Sequence, residues 1–156
     1  MEPAVRALLD SADDTEGVEV PGNDWNALPD ETYEREILAI QKRIRDDFGI
    51  DVQRDGKVED ASFFDDLRVV SKVASQSNTY HTLLCIRFSN FGKLFTVCSS
   101  LDSIPREYPL PSIVGLVEGF GWCYVPADAL DEPYDGKNER LREADISWWI
   151  RFFDYV

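Results

Sequence analysis

Residues 82–99, TLLCIRFSNFGKLFTVCS, decide how this chain folds. Apolar residues alternate on either side of a short polar break, the mark of two strands meeting at a turn. Placing Ser89 opposite Lys93 leaves Asn90-Phe91-Gly92 as a three-residue loop, with glycine where left-handed backbone costs little. Phe88 then faces Leu94, Ile86 faces Thr96 and Leu84 faces Cys98. In that register Cys85 and Cys98 point to opposite faces, so no disulfide joins them.

The same arithmetic applies upstream. Pairing Val52 with Val58 and Gln53 with Lys57 leaves Arg54-Asp55-Gly56 as a second three-residue loop, closed again by glycine. SFFDDLRVVSKV, residues 62–73, supplies a further strand. Before these lies DETYEREILAIQKRIRDDFG, residues 30–49, where Tyr33, Ile37, Ile40, Ile44 and Phe48 form one apolar stripe of a helix. Asp30 suits its N-cap, Glu31 and Glu34 favour the positive end of the dipole, and Gly49 stops it.

Downstream, a short helix is expected near Pro111, where a missing N–H is harmless. GWCYVP, residues 121–126, reads as a short strand, and ADALDEPYDGKNERLREAD as turns and exposed loop. ISWWIRFFDYV reads as an aromatic closing helix capped by Asp145, apolar on most sides and so in need of burial. The pattern predicts an α+β fold in one domain. About four antiparallel strands carry the N-terminal helix and the C-terminal aromatic helix on the sheet. Residues 1–29, acidic and broken by Gly and Pro, are expected to be a flexible segment. Residues 30–156 are expected to be the domain.

The run DVQRDGKVEDAS, Asp51–Ser62, could also be a calcium loop, with Asp51, Gln53 and Asp55 as ligands and Gly56 at the sharp turn. An EF-hand needs a bidentate carboxylate at its twelfth position, and Ser62 stands there. An acidic hairpin turn is the better reading. Asp65 and Asp66 are neighbours on a strand and point to opposite faces, so they cannot share one proton. Asp65 falls in the row of Phe63, Leu67 and Val69. It needs either an exposed strand end, the expected case, or a buried partner and a shifted pKa.

His81 is the only histidine. On a strand it lies roughly 13 Å from Cys85, so those two cannot form a nucleophilic pair. Cys98 or Cys123 could still meet it. No phosphate-loop, dinucleotide, nucleophile-elbow or HExxH motif occurs. The three cysteines show no CxxC spacing, and no run is apolar enough to span a membrane. With no signal-peptide pattern at the N-terminus, a cytoplasmic location is expected.

The net charge of −14 is unevenly placed. Residues 1–66 carry 19 acidic and 7 basic side chains, whereas residues 67–156 carry 11 and 9. Such a chain is a poor ligand for nucleic-acid phosphates but can steer a basic protein toward itself.

IRFSNFGKLFTV, GFGWCYVPADALDEPYDG and WWIRFFDYV, within residues 60–156, together resemble bacterial immunity proteins that accompany polymorphic toxins. The resemblance implies a small, acidic, non-catalytic inhibitor of a toxic enzyme, working without a cofactor. Charge and resemblance agree on a basic protein partner, and a co-encoded toxin fits what the resemblance implies. The expected contacts are Glu34, Asp47, Asp51, Asp55, Glu59 and Asp60 for steering. Trp25 and Phe91 are the loop anchors. A small enzyme built from scattered carboxylates and His81, or a regulatory or scaffold module, are the alternatives.

Overall fold

The structure, a computed structural model, describes residues 1–13, 31–56, 63–72 and 80–154. Helix α1 (Pro3–Ala12) and helix α2 (Glu31–Phe48) precede four strands: β1 (Gln53–Gly56), β2 (Phe63–Lys72), β3 (Tyr80–Ser89) and β4 (Leu94–Cys98). Helix α3 (Leu110–Glu118), strand β5 (Cys123–Tyr124), a 3-10 turn (Ala127–Asp131), and helices α4 (Glu139–Glu143) and α5 (Trp148–Phe153) follow. The strands lie in the order β1-β2-β3-β4-β5, antiparallel as far as β4 and parallel where β5 joins. The α+β expectation holds, with five strands among the described residues instead of about four. Among the described residues no helix is long and apolar enough to cross a membrane.

The sheet separates two cores. On one face, Leu67, Leu84, Ile86, Phe88, Phe95 and Val97 meet Ile37, Ile40 and Ile44 of α2, together with Ile113 and Val117 of α3 and Trp122. The helical stripe is as the spacing predicts, and each of its three isoleucines is fully buried. Burial of each contributes roughly 2 kcal/mol. Gly49, at φ +69°, ends the helix. The second core joins Leu9 of α1, Leu94, Val125, Leu130, Tyr134 and the α5 residues Trp148, Phe152 and Phe153.

Four expectations need correction. Residues 3–12 are helix, not flexible chain: Pro3 opens α1, and Leu9 and Asp13 are fully buried. The spacing of Val5, Leu8, Leu9 and Ala12 held this signal, masked by the acidic run behind it. The helix at the C-terminus is capped by Ser147, whose hydroxyl accepts from the Ile150 N–H, while Asp145 is left-handed at φ 52°. Arg54-Asp55-Gly56 is strand, not a turn, with Gly56 opposite Asp65 and no left-handed backbone at that glycine. The expected partners Lys57 and Val58, the Asp30 cap and Trp25, Glu59 and Asp60 all lie outside the described residues.

The fourth correction is a one-residue slip in the central hairpin. Phe88 lies opposite Phe95, Ile86 opposite Val97 and Cys85 opposite Cys98. The loop therefore holds four residues, with both Gly92 (φ 64°) and Lys93 (φ 51°) left-handed. Two forces favour this register. It puts Phe95 and Val97 on the face of Ile86 and Phe88, where the first core needs them. It also lets the Lys93 ammonium reach Glu36 at 2.9 Å, above the Tyr33 ring.

At Gly92 an added Cβ would stand 2.5 Å from the Ala12 Cβ, on backbone that L-residues avoid. Gly92→Ala should therefore destabilise by about 2 kcal/mol or more, read as a lower urea midpoint, because strain and overlap both act. Loss of under about 0.5 kcal/mol would contradict the placement of α1 against this turn.

Candidate functional site

Strand β2 carries the polar centre of the molecule. Asp65 and Asp66 point to opposite faces, as expected, but neither is at an exposed strand end: both are fully buried. Each has recruited arginine.

Asp65 faces the first core beside Gly56 and Phe88. Arg54 Nε donates to its Oδ2 at 2.7 Å, and a second Arg54 nitrogen lies 2.6 Å from the same oxygen. Arg54 NH1 then reaches Glu34 at 3.2 Å, tying β1 and β2 to α2. Gly56 is there for space: a Cβ would meet Asp65 Oδ2 at 2.7 Å. Burial pushes the Asp65 carboxyl up to about 6, against the pull of Arg54 and with the help of Asp66 and Glu34. Its Oδ1 is buried with no protein partner among the described residues.

Asp66 lies on the other face. Arg87 clasps it with Nε to Oδ1 at 2.9 Å and NH2 to Oδ2 at 2.8 Å, while Arg68 donates from Nε at 2.9 Å. Arg68 also meets Asp55 at 2.9 Å, and Arg87 NH1 donates to the Phe153 carbonyl at 2.8 Å. Arg87 lies 5.7 Å from the centre of the Trp149 ring. One carboxylate thus joins β1, β2, β3 and α5.

A third buried acid closes the second core. Asp13 accepts from Tyr134 Oη at 2.6 Å, the Lys137 N–H at 2.8 Å and Arg151 Nε at 2.9 Å. Burial raises its pKa, but these three donors hold it below the usual carboxylate value. Burial and the carboxylate push the Tyr134 phenol up to about 12.

Sequence reasoning missed the role of Asp13, and of every arginine named here. A pairing pattern of Asp with Arg on adjacent strands becomes visible only once register is known.

The four expected docking acids among the described residues are paired within the chain. Glu34 holds Arg54, Asp47 holds Arg43 at 2.6 Å, Asp51 holds Arg45 at 2.7 Å and Asp55 holds Arg68. Phe91 is not an exposed loop anchor: it is half-buried, edge-on to Phe152, with the Arg151 guanidinium 4.3 Å from its ring centre. His81 is exposed, opposite Ser71. Asp66 pairs with Arg87, six residues along the same strand, so roughly 20 Å separates His81 from the carboxylates. The structure does not bring them together. Asp51 and Asp55 likewise turn to arginines, and among the described residues no group of three or more His, Cys, Asp or Glu could hold a metal ion.

What this arrangement does chemically is hold strands and helices with buried charge, and hold one proton at Asp65 below about pH 6. Comparison with protein-family models, curated proteins and solved structures found no match.

Two outcomes test this centre. Unfolded, the Asp65 carboxyl ionises near 3.8; folded, it holds its proton to about 6. Ionising it therefore costs the native state, and stability is lost as pH rises through that window. Relative to Asp65→Asn, the wild type should lose up to about 3 kcal/mol between about pH 4 and about pH 7 in paired urea titrations. A constant difference would contradict the raised pKa. Asp66→Ala leaves Arg68 and Arg87 without their shared carboxylate, and should cost about 3 kcal/mol or more. A melting temperature within a few degrees of wild type would contradict that clamp.

Proposed function

We propose that this chain is an acidic binding protein that docks on and neutralises a basic protein. The likeness to immunity proteins of bacterial polymorphic toxins supports that reading, with the partner a co-encoded toxic enzyme. One observation carries it. At least ten of the 16 basic side chains are tied up in intramolecular ion pairs, among them Arg54, Arg68, Arg87 and Arg151. The acids outnumber them 30 to 16, so the excess negative charge is left for solvent or a partner. Residues 14–30 alone contain five acids and no base.

Charge of this kind raises encounter rates, while tight binding needs a few buried anchors. Asp47, Asp51 and Asp55 each face an arginine that cancels most of their long-range field. Steering therefore rests on the acids in excess of the bases, and these three contribute as members of that net charge. Glu34, shared with Arg54, contributes less. Glu59, Asp60 and the anchor Trp25 complete the proposed contact set and lie outside the described residues. Phe91, enclosed by Phe152 and Arg151, is no longer a suitable anchor.

A second reading has one observation in its favour: a buried carboxyl near pKa 6 could serve as an acid or base. His81, roughly 20 Å along the strand, gives it no partner in such chemistry.

The measurement is stopped-flow association with the protein encoded beside this chain, at low and high ionic strength. The wild-type on-rate should fall about tenfold or more with added salt. Converting Asp51, Glu59 and Asp60 to Lys should lower the low-salt rate by about tenfold and leave the high-salt rate nearly unchanged. An on-rate indifferent to salt and to these reversals would sink the proposal.

A further inference from the structure

We propose that Cys85 and Cys98 are a peroxide-sensitive dithiol, in which Cys98 attacks the oxidant and Cys85 resolves the product into a disulfide across β3 and β4. The hairpin register is the basis. Cys85 and Cys98 are direct partners in the antiparallel ladder, with side chains on one face of the sheet. On β4, Lys93 and Phe95 turn their carbonyls to β5, accepting from Cys123 and Val125. By alternation, Leu94, Thr96 and Cys98 turn their backbone groups to β3. Cys85 and Cys98 are therefore a hydrogen-bonded pair, whose Cα separation of about 5.5 Å lies inside the range of natural disulfides. Both thiols are free.

Their surroundings differ in a useful way. Cys85 is buried at 3% exposure, whereas Cys98 is only half-buried and can meet a small oxidant. Arg68 lies directly opposite Cys85 on β2, and Arg87 is two residues along on the same face. The Cys98 thiol is held below its ordinary pKa, first by the hydrogen bond that the Cys85 thiol donates, against burial and with help from Arg87. The donor, Cys85, is pushed up correspondingly. Cys98 is thus the thiol more readily ionised and attacked, and Cys85 the one that keeps its proton until the second step.

The Cys98 thiolate attacks one oxygen of hydrogen peroxide. An S–O bond forms, the O–O bond breaks, and hydroxide leaves to take up the proton that Cys98 had released. The Cys85 sulfur then attacks the Cys98 sulfenic sulfur. The S–S bond forms, the S–O bond breaks, and the departing hydroxide carries off the Cys85 proton as water. Two thiols lose two electrons, and peroxide is reduced to two waters. Cys123 is excluded: it is paired with Leu94, four residues along β4 from Cys98 and so roughly 13 Å away.

The test treats the full chain with hydrogen peroxide, alkylates it and maps a non-reducing digest by mass spectrometry. Two of the three thiols should be lost, with the peptides of Cys85 and Cys98 linked, Cys123 alkylated and the change reversed by dithiothreitol. In Cys85→Ser the Cys98 sulfenic acid should persist and be trapped by dimedone. In Cys98→Ser oxidation at Cys85 should slow about tenfold or more. The wild-type linkage stands even if a variant folds poorly. Oxidation first at Cys123, disulfide-linked dimers on a non-reducing gel, or three intact thiols under peroxide that oxidises the urea-unfolded chain would each overturn the proposal.

Discussion

A fully buried Asp66 carboxylate, grasped by Arg87 and Arg68, is the constraint on which the rest of the structure depends. Removing a charge from water costs several kcal/mol, and only a dense set of donors offsets it. Those donors come from two strands, and Arg87 carries the link on to the Phe153 carbonyl of α5. Any slip of β2 against β3 would separate the acid from Arg87 and leave that guanidinium stranded in low dielectric. Apolar packing brings the sheet and helices together; the buried ions select one register among those that packing alone would tolerate.

Asp65 contrasts with it on the reverse side of the same strand. Burial lifts the Asp65 carboxyl to about 6, and Arg54, shared between Asp65 and Glu34, offsets only part of that rise. Adjacent residues thus occupy two electrostatic regimes, one saturated with donors and one short of them. The difference arises from which face holds aliphatic side chains and which holds arginines.

Much of this was legible in the chain. The stripe from Tyr33 to Phe48 names its helix outright, because periodicity is a local property. The central hairpin was visible too, but its register was not. Loop length depended on Lys93 adopting left-handed backbone, and the reason, a salt bridge to Glu36, lies 57 residues away. The fates of Asp65 and Asp66 were hidden for the same cause: a strand pattern tells which way a side chain points, not what waits there. Exposure of Phe91 was misjudged because loop position says nothing of Phe152 and Arg151 closing over it.

The link from Asp13 to Tyr134, Lys137 and Arg151 bears on how the chain reaches its fold. Those bonds span 121 to 138 residues, and Arg6 meets Asp135 across 129 more. The first core draws only on residues 33–124, so it can condense early from local helix and hairpin contacts. The second core needs α1 and α5 together, so its closure carries the larger loop entropy. Taking away either segment would bare Leu94 and strip the other of its partners, Leu9 and Asp13 on one side or Arg151, Phe152 and Phe153 on the other.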